Sequence, residues 1–366
     1  MESSVPNIRF DERGVCQHCA IHDELEKSYP MDDRGQKDLA RIVAQIKKSG
    51  EGRDYDCICG VSGGRDSSFT LYTAVRTLGL RPLAVHFDNG WNSDIAVTNI
   101  ERACQALDVD LETVVADWEE FRDLQIAFVK ASVPDLDIPT DVAILAPLHE
   151  VAAKEGIHYL LNGHSFRTEG IAPVDWTYFD GRYIRAIHRR FATTPLRDYH
   201  NFGLREFVLY TILKRIKTVP ILNYVSYRHA DAEAKLAEIG WSYYGGHHHE
   251  NSYSKFVQSY LLPRKFRIDR RRTELSAAVR SGAKDRSEAL AYLDTTPYEV
   301  DRELVHYAIE KLGLNAEEFE RLYQRPPRSF RDFPTYYPVI RALRKPIGFL
   351  ATIGLVPKLL RAKFEA

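Results

Sequence analysis

The sequence predicts an α/β protein with a parallel sheet, preceded by a short polar segment and followed by a mostly helical region. From Tyr55 onward, apolar stretches of strand length alternate with stretches whose apolar residues recur at helical spacing. This alternation is typical of a parallel sheet that helices cover on both faces. After about Tyr227 the strand pattern ends and helical spacing dominates. We therefore place three parts at 1–52, 53–235 and 236–366.

Four strands and the helices between them follow from this pattern. The predicted strands span 55–61, 81–88, 111–117 and 157–164. The predicted helices are 39–46, 69–76, one starting at Asp94, 118–129 and 140–154. In such sheets the ligand binds beyond the carboxyl ends of the strands. Polar loops follow the first, second and fourth strands, so we expect these loops to meet in one crevice.

The composition excludes some classes of protein. The 366 residues suffice for roughly two domains, and a net charge of −1 argues against a strongly basic nucleic-acid binder, although 264–272 is a local basic patch. Five cysteines, an odd number, do not suggest a disulfide framework. No basic-then-apolar signal segment opens the chain, so we expect a cytoplasmic protein.

One apolar segment near the C-terminus, 347–356, allows two interpretations. It is too short to be a transmembrane segment, which takes about 20 apolar residues. A docking or core helix is one interpretation, and a segment lying on a membrane surface is the other.

The most informative motif is Ser-Gly-Gly-Arg-Asp-Ser-Ser at 62–68, between a predicted strand and a predicted helix. Gly63 and Gly64 let the backbone approach an anion, and the amides of the turn and the helix N-terminus point at it. Ser67 and Ser68 add hydroxyl donors. Asp66 would repel phosphates unless a cation intervenes, which predicts Mg²⁺ there. The motif is not a Walker A loop; the ordinary alternative is a Gly-Ser turn.

Two further loops follow predicted strands. The loop at Ser62 resembles that of pyrophosphatase-type enzymes, which hold adenine and ribose at the end of the second strand. By that resemblance Phe87 could flank the base and Asp88 or Asn89 could bind the ribose; the alternative is a strand-end turn. After the fourth strand, the loop 163–170 carries a cation, a carboxylate and hydroxyls. Its candidates for contact with phosphates, metal or sugar are His164, Arg167 and Glu169. The alternative is a solvated loop whose charges pair with each other.

A histidine cluster, His247, His248 and His249, precedes Glu250. Adjacent histidines point in different directions, so all three rarely bind one ion. His248, His249 and Glu250 instead offer general acid–base groups, and Lys255 can neutralise a phosphate. The alternative is a structural cluster that caps a helix.

Cys16 and Cys19 form a C-x-x-C pair, which is half of a zinc site by spacing. No second C-x-x-C pair exists in the sequence. Cys57 and Cys59 share one face of a predicted buried strand, away from this pair. A bound zinc and an unmetallated pair both remain open.

Together these motifs resemble one family, the N-acetyl-sugar amidotransferases of lipopolysaccharide and nonulosonate biosynthesis. It is a branch of the pyrophosphate-loop enzymes, which split ATP between the α and β phosphates. The resemblance covers nearly the whole chain: Ser4–Ile8, Phe10–Glu12, Gly14–Cys19, the loop at Ser62, Phe87–Asn92, Pro139–Asp141, Gly163, Thr168–Gly170, Trp241–Phe256 and Tyr260–Phe266. The loop marks only the superfamily, whereas Gly-Gly-x-His-His-Glu at 245–250 is specific to the family.

The chain departs from the family pattern in two places. Members usually carry another C-x-x-C upstream of Ser4, and this chain starts at Met1 about where that pair would end. Either the true start lies upstream or the zinc site has been lost. His247 and Asn251 stand where lysine and serine are typical, which puts one phosphate or carboxylate contact in doubt.

The resemblance implies an adenine-nucleotide alpha-hydrolase-like fold and a concrete reaction. The amide oxygen of an N-acetyl sugar attacks the α-phosphate of ATP, pyrophosphate leaves, and ammonia then displaces AMP to give an acetamidino group. The implied cofactors are ATP and Mg²⁺, with zinc as an open question. No glutaminase segment is recognisable, so ammonia would come from solution or from partners that resemble glutaminase and cyclase subunits. No nucleic-acid partner is implied.

The implied site falls into four sets of residues. Catalytic candidates are Asp66, His248, His249, Glu250 and Lys255. ATP-binding candidates are Ser62, Gly63, Gly64, Asp66, Ser67, Ser68, Phe87, Asp88, Asn89 and Gly163. Substrate-binding candidates are Trp91, His164, Arg167, Thr168, Glu169 and His247. Metal candidates are Asp66 for Mg²⁺ and Cys16 and Cys19 for zinc.

Two other functions compete with this one. A tRNA-modifying enzyme on the same fold would suit the cysteine pair and the basic patch, but not the near-zero net charge. A nucleotide-sensing scaffold would bind ATP without cleaving it, which the intact Asp66, Ser67 and Ser68 argue against.

Overall fold

A computed structural model describes residues 1, 3, 5–245, 250–352 and 356. Within these residues, five strands form one parallel sheet in the order β3-β2-β1-β4-β5. The strands are β1 (Cys57–Gly60), β2 (Pro82–Asp88), β3 (Leu111–Val115), β4 (Tyr159–Asn162) and β5 (Lys217–Pro220). The parallel sheet and its first four strands are thereby confirmed. Strand β5 was not predicted from the sequence; it is four residues long and ends in proline.

Helices connect the strands and make up the C-terminal region. In chain order they are α1 (Gln17–Ser28), α2 (Asp33–Ser49), α3 (Arg65–Tyr72), α4 (Asp94–Leu107), α5 (Trp118–Ala131), α6 (Ile138–Glu155), α7 (Gly181–Phe191), α8 (Leu204–Phe207), α9 (His229–Ala237), α10 (Ser252–Phe256), α11 (Leu262–Lys265), α12 (Arg271–Arg280), α13 (Arg286–Thr295), α14 (Arg302–Lys311), α15 (Ala316–Tyr323), α16 (Tyr337–Ala342) and α17 (Arg344–Thr352). Helix α3 continues as a π-helical turn through Thr77. The predicted helix starts at Asp94 and Trp118 match α4 and α5, where Ser93 and Asp117 accept capping hydrogen bonds from backbone amides.

Side chains of the central strand alternate between two apolar cores. Cys57 and Cys59 join one core together with side chains from α3 and α4. Ile58 joins the opposite core, with Leu83 and Leu160. This is the two-residue period of a strand buried on both faces, and it confirms that the two cysteines share a face.

The C-terminal region packs directly on the sheet domain. Asn251 forms an antiparallel bridge with Asn92, the Ser93 amide donates to the Glu250 carbonyl at 2.9 Å, and the Ser252 amide donates to the Trp91 carbonyl at 2.9 Å. Tyr253 and Phe256 are fully buried in the same core as α5. The segment after the predicted domain boundary is therefore fixed at the carboxyl end of β2.

No helix of the described ranges is long and apolar enough to cross a membrane. Residues 347–352 of the apolar segment belong to α17, and 353–355 lie outside the described residues.

Candidate active site

The loop between β1 and α3 has a shape that only glycine permits at one position. Gly63 has a positive φ of 75°, which L-residues with side chains rarely adopt. A Cβ placed there would also lie 2.2 Å from the Ala96 carbonyl oxygen. The Gly63 carbonyl accepts hydrogen bonds from the indole of Trp241 at 3.0 Å and the amide side chain of Asn99 at 3.3 Å. The turn is thus held from both α4 and the C-terminal region.

Serine hydroxyls close the loop on itself. The Ser67 hydroxyl accepts from the Ser62 amide at 3.1 Å, lies 3.1 Å from the Ser62 hydroxyl and donates to the Gly64 carbonyl at 3.2 Å. Ser68 is buried. Within the described residues, the amides of Gly63, Asp66 and Ser67 donate to no protein group. These donors suit an anion at the helix N-terminus.

Asp66 lies in a network that the sequence analysis did not identify. Its Oδ1 atom accepts hydrogen bonds from the hydroxyl of Tyr227 and from Arg65 Nε at 3.4 Å. Arg65 also pairs with Glu233 of α9 at 2.8 Å, and its amide donates to the Tyr244 hydroxyl at 3.0 Å. Burial first, and the Asp66 carboxylate second, raise the pKa of Tyr227 well above its usual range. Tyr227 therefore stays a hydrogen-bond donor to Asp66.

This donor set fits Mg²⁺ that arrives with a nucleotide. Mg²⁺ is commonly held by one or two carboxylates together with substrate phosphates and waters. Asp66 provides one carboxylate beside the open amides of the loop. Across the described ranges no group of three His, Cys, Asp or Glu side chains is arranged to hold a metal ion, so the phosphates would have to supply the other ligands.

Glu250, in the C-terminal region, lies against the loop at 62–68 between β1 and α3, which is called the phosphate loop below. A Cβ placed on Gly64 would lie 3.0 Å from the Glu250 Oε1 atom and 3.1 Å from the Ser62 hydroxyl oxygen. The Glu250 charge also contributes, after burial, to the raised pKa of Tyr244. The structure therefore brings this predicted residue against the loop, whereas His247, His248 and His249 lie outside the described residues. Lys255, five positions further on, pairs with Asp301 at 3.1 Å.

The loop after β2 differs from its predicted role. Asp88 accepts from the Gly90 amide at 2.9 Å and the Asn92 side chain at 3.1 Å. Buried Asn89 accepts from the Trp91 amide at 3.0 Å and the Asn251 side chain at 3.1 Å. Both side chains thus form the strand-end turn that the sequence allowed as the alternative.

Trp91 and Phe87 are core residues. Trp91 has no exposed surface, and its indole donates to Gln125 at 2.9 Å. A substrate contact for Trp91 is therefore wrong for this structure. Phe87 is 7% exposed and packs edge-on against Phe121, so at most its rim faces a nucleotide.

The loop after β4 meets the phosphate loop at Gly163. A Cβ there would lie 2.8 Å from the Thr70 hydroxyl and 2.9 Å from the Asp66 carbonyl, so the first and fourth strand ends converge as expected. The His164 Nδ1 atom lies 2.6 Å from Glu169 Oε2, and the Thr168 hydroxyl donates to the Ser165 carbonyl at 3.4 Å. These contacts are the internal pairing that the sequence left as the alternative.

Arg167 points to the N-terminal segment. Its guanidinium pairs with Glu26 of α1 at 2.8 Å and donates to the carbonyls of Asn223 at 2.9 Å and Tyr29 at 2.6 Å. Each of the three guanidinium nitrogens of Arg167 thus donates to a protein oxygen. Arg167 is an anchor for α1 in this structure and not a substrate ligand.

The cysteine pair is close but supplies only half of a zinc site. The two sulfur atoms lie 3.6 Å apart, and the hydrogen bond from Cys19 lowers the pKa of Cys16 to about 5. Two thiols do not complete a tetrahedral zinc site, and zinc binding stays a prediction.

Tyr227, Tyr244, Trp241 and Glu233 are the site residues that sequence reasoning missed. The only local signal was the aromatic content of 224–244. Aromatic residues in a helical region usually indicate core packing, so this signal did not single out their polar atoms.

The sheet order and the Ser-Gly-Gly-Arg-Asp-Ser loop after β1 agree with the adenine-nucleotide alpha-hydrolase-like fold expected from the sequence. Residues 250–345 match the family model described as "LPS biosynthesis protein WbpG-like, C-terminal domain". This part of the chain is similar to that family, and it includes Glu250 and the segment bridged to β2.

Similar proteins were also found by sequence and by structure. An uncharacterized protein of Methanocaldococcus jannaschii is 27% identical over 157 residues, which cover 43% of this chain and 53% of that protein. The match thus spans about half the length of the curated relative.

The solved structures include the NH3-dependent NAD synthetase of Campylobacter jejuni, with a TM-score of 0.31, 12% identity and coverage of 80% of this chain and 98% of that one. They also include the U34-tRNA thiolase of Methanococcus maripaludis with its 4Fe–4S cluster, with a TM-score of 0.32, 13% identity and coverage of 74% and 83%.

Proposed function

We propose that this chain is an ATP-dependent amidotransferase that acts on the N-acetyl group of a bacterial surface-polysaccharide sugar, either nucleotide-activated or a nonulosonate. The reaction replaces the amide oxygen with nitrogen and forms an acetamidino group, AMP and pyrophosphate. The observation that carries the proposal is the position of Glu250. A residue of the lipopolysaccharide-biosynthesis domain lies against Gly64 of the pyrophosphate loop.

In the first half-reaction the amide oxygen attacks the α-phosphate and the bond to the pyrophosphate group breaks. The amides of Gly63, Asp66 and Ser67 hold the departing pyrophosphate, because donors aimed at developing charge stabilise a transition state. Asp66 would hold Mg²⁺, which would supply positive charge to the phosphates when bound. The Tyr227 hydroxyl donates to the same carboxylate, so Mg²⁺ would have to replace or share that hydrogen bond.

In the second half-reaction ammonia attacks the imidate carbon, a proton leaves the nitrogen, and the carbon–oxygen bond to AMP breaks. Glu250 is positioned beside the loop to accept that proton. His248 and His249 remain predicted acid–base groups of this step. Ammonia comes from solution or from a partner subunit that supplies it.

Mass spectrometry tests the proposal directly. The full chain is incubated with Mg-ATP, ammonium and a panel of UDP-diacetamido sugars and nonulosonates. The expected product is lighter than the sugar substrate by the mass difference between an oxygen atom and an NH group. AMP and pyrophosphate are expected beside it. An Asp66→Asn protein is the negative control. AMP formation that depends on tRNA, with no sugar converted, would replace this proposal with an RNA-modifying function.

A further inference from the structure

A cavity of about 540 Å³ lies on the solvent-facing side of α7. Its lining residues are Arg182, Arg185, His188, Arg189, Leu196 and Tyr336. None of them belongs to the candidate active site. The cavity is rich in cations, and the proposed function does not use it.

The sequence of α7 explains why the cations gather there. Tyr183, Ile184 and Ile187 are buried in the main core. The arginines at 182, 185 and 189 follow at spacings of three and four and so share the opposite face. Packing of the apolar face thus directs the three arginine side chains towards one cavity.

These charges have no carboxylate partners in the described ranges. Arg182 donates to the Thr335 carbonyl at 3.4 Å, and Arg189 donates to the Arg185 carbonyl at 3.2 Å. Two carboxylates nearby are engaged elsewhere. Asp180 accepts from the amides of Arg182 and Tyr336, and Glu206 accepts from the Gly203 amide at 2.9 Å.

Other arginines of the protein contrast with this cluster. Arg65, Arg81 and Arg167 each form an ion pair with an Asp or Glu. Like charges three or four positions apart on a helix destabilise it. A cluster of this kind is stabilised when an anion binds among the guanidinium groups, which match phosphate oxygens with paired N–H donors.

We propose that this cavity binds a phosphorylated small molecule. The three guanidinium groups take the phosphates, and Leu196 and the ring of Tyr336 form an apolar wall. Arg182 already lies 5.5 Å above that ring. The volume falls in the range of about 300–1,000 Å³ found for ligand pockets, which leaves room for more than one phosphate. The site is independent of the proposed reaction.

Isothermal titration of the full chain with inorganic pyrophosphate, and separately with UDP, tests this site. The test variant is Arg185→Gln/Arg189→Gln, since both side chains are exposed and make no ion pair. Arg190→Gln is the matched control, because Arg190 lies on the same helix with its guanidinium over the rings of Phe191 and Phe333. The loop at 62–68 is the second anion site of this proposal. Each arginine variant is therefore measured in two backgrounds, the otherwise unchanged chain and the chain that also carries Ser62→Ala/Ser67→Ala.

We expect Arg185→Gln/Arg189→Gln to weaken binding at the α7 cavity at least tenfold in both backgrounds. The affinity of the Arg190→Gln control should stay unchanged. Arg185→Lys/Arg189→Lys should recover part of the affinity, because it restores the charge without the paired donors. Tighter binding of UDP than of pyrophosphate would identify a nucleotide as the source of the phosphates, and equal binding would identify the phosphates alone. Unchanged affinity of a folded double variant in both backgrounds, with far-UV circular dichroism as the check, overturns the proposal.

Discussion

The loops after β1 and β2 lie at the same sheet edge, and both contain a glycine with positive φ, Gly63 at 75° and Gly90 at 77°. Their polar groups are used in opposite ways. In the β1 loop, three amides within the described residues have no protein acceptor. In the β2 loop, the amides of Gly90 and Trp91 are capped by Asp88 and Asn89. A loop at a strand end therefore indicates a binding site only where its backbone amides have no protein acceptor and can donate to a ligand.

The largest difference is expected between Asp66→Asn and Asp88→Asn. Asp66→Asn should lower the rate of ATP-dependent pyrophosphate release by on the order of 10²- to 10³-fold, because the charge that holds Mg²⁺ is lost. Asp88→Asn should have little effect, since an amide oxygen can still accept from Gly90 and Asn92. A pyrophosphate-release assay over a range of Mg²⁺ concentrations compares the two. Equal losses would contradict the difference between the loops.

A second pair of variants tests the segment 250–251, which contacts the loops after β1 and β2. Glu250 faces the β1 loop and Asn251 bonds to Asn89 in the β2 loop. Glu250→Gln should reduce amidine formation by about 10²-fold through loss of a proton acceptor. Asn251→Ser should keep the activity and lower the free energy of unfolding by about 1 kcal/mol, because one hydrogen bond is lost. Steady-state kinetics and urea denaturation measure the two effects, and normal activity of Glu250→Gln would exclude a chemical role.

Substitution by alanine should lower the free energy of unfolding by different amounts at Gly63 and at Gly90. Gly63→Ala places a Cβ 2.2 Å from a backbone oxygen and should cost about 3 kcal/mol or more, from the clash and the positive φ together. Gly90→Ala places it 3.0 Å from the Trp118 ring, which can shift, and should cost about 1–2 kcal/mol. Urea denaturation of both variants measures the difference, and similar values would show that the β1 loop can relax.

The smallest effect concerns Tyr227. Removing its hydroxyl in Tyr227→Phe takes away a hydrogen bond to Asp66 that Mg²⁺ binding must give up or share. We expect the Mg²⁺ concentration for half-maximal activity to fall about three- to tenfold, which corresponds to the roughly 0.5–1.5 kcal/mol of a typical intramolecular hydrogen bond. Tyr244→Phe is the control, because that hydroxyl contacts the Arg65 amide and not the carboxylate. A higher Mg²⁺ requirement would instead show that Tyr227 holds Asp66 in place for the metal.

Local patterns were enough to predict four strands, the main helices and the phosphate loop. Strand and helix periods are properties of neighbouring residues, and the loop motif is contiguous in the chain. The same patterns missed β5, which is too short to show a period. They also assigned Trp91 and Arg167 to the substrate, because residue type and position in a loop do not reveal which way a side chain turns.

Tertiary packing decided which polar groups face a ligand. Tyr227 reaches Asp66 across 161 positions of sequence, and Glu250 reaches Gly64 only because its segment is bridged to the end of β2. Such contacts depend on how helices and loops pack, not on local preference. The amino-acid sequence therefore specified the sheet and the loop, while the packing of the C-terminal region on that sheet specified which residues lie against the loop.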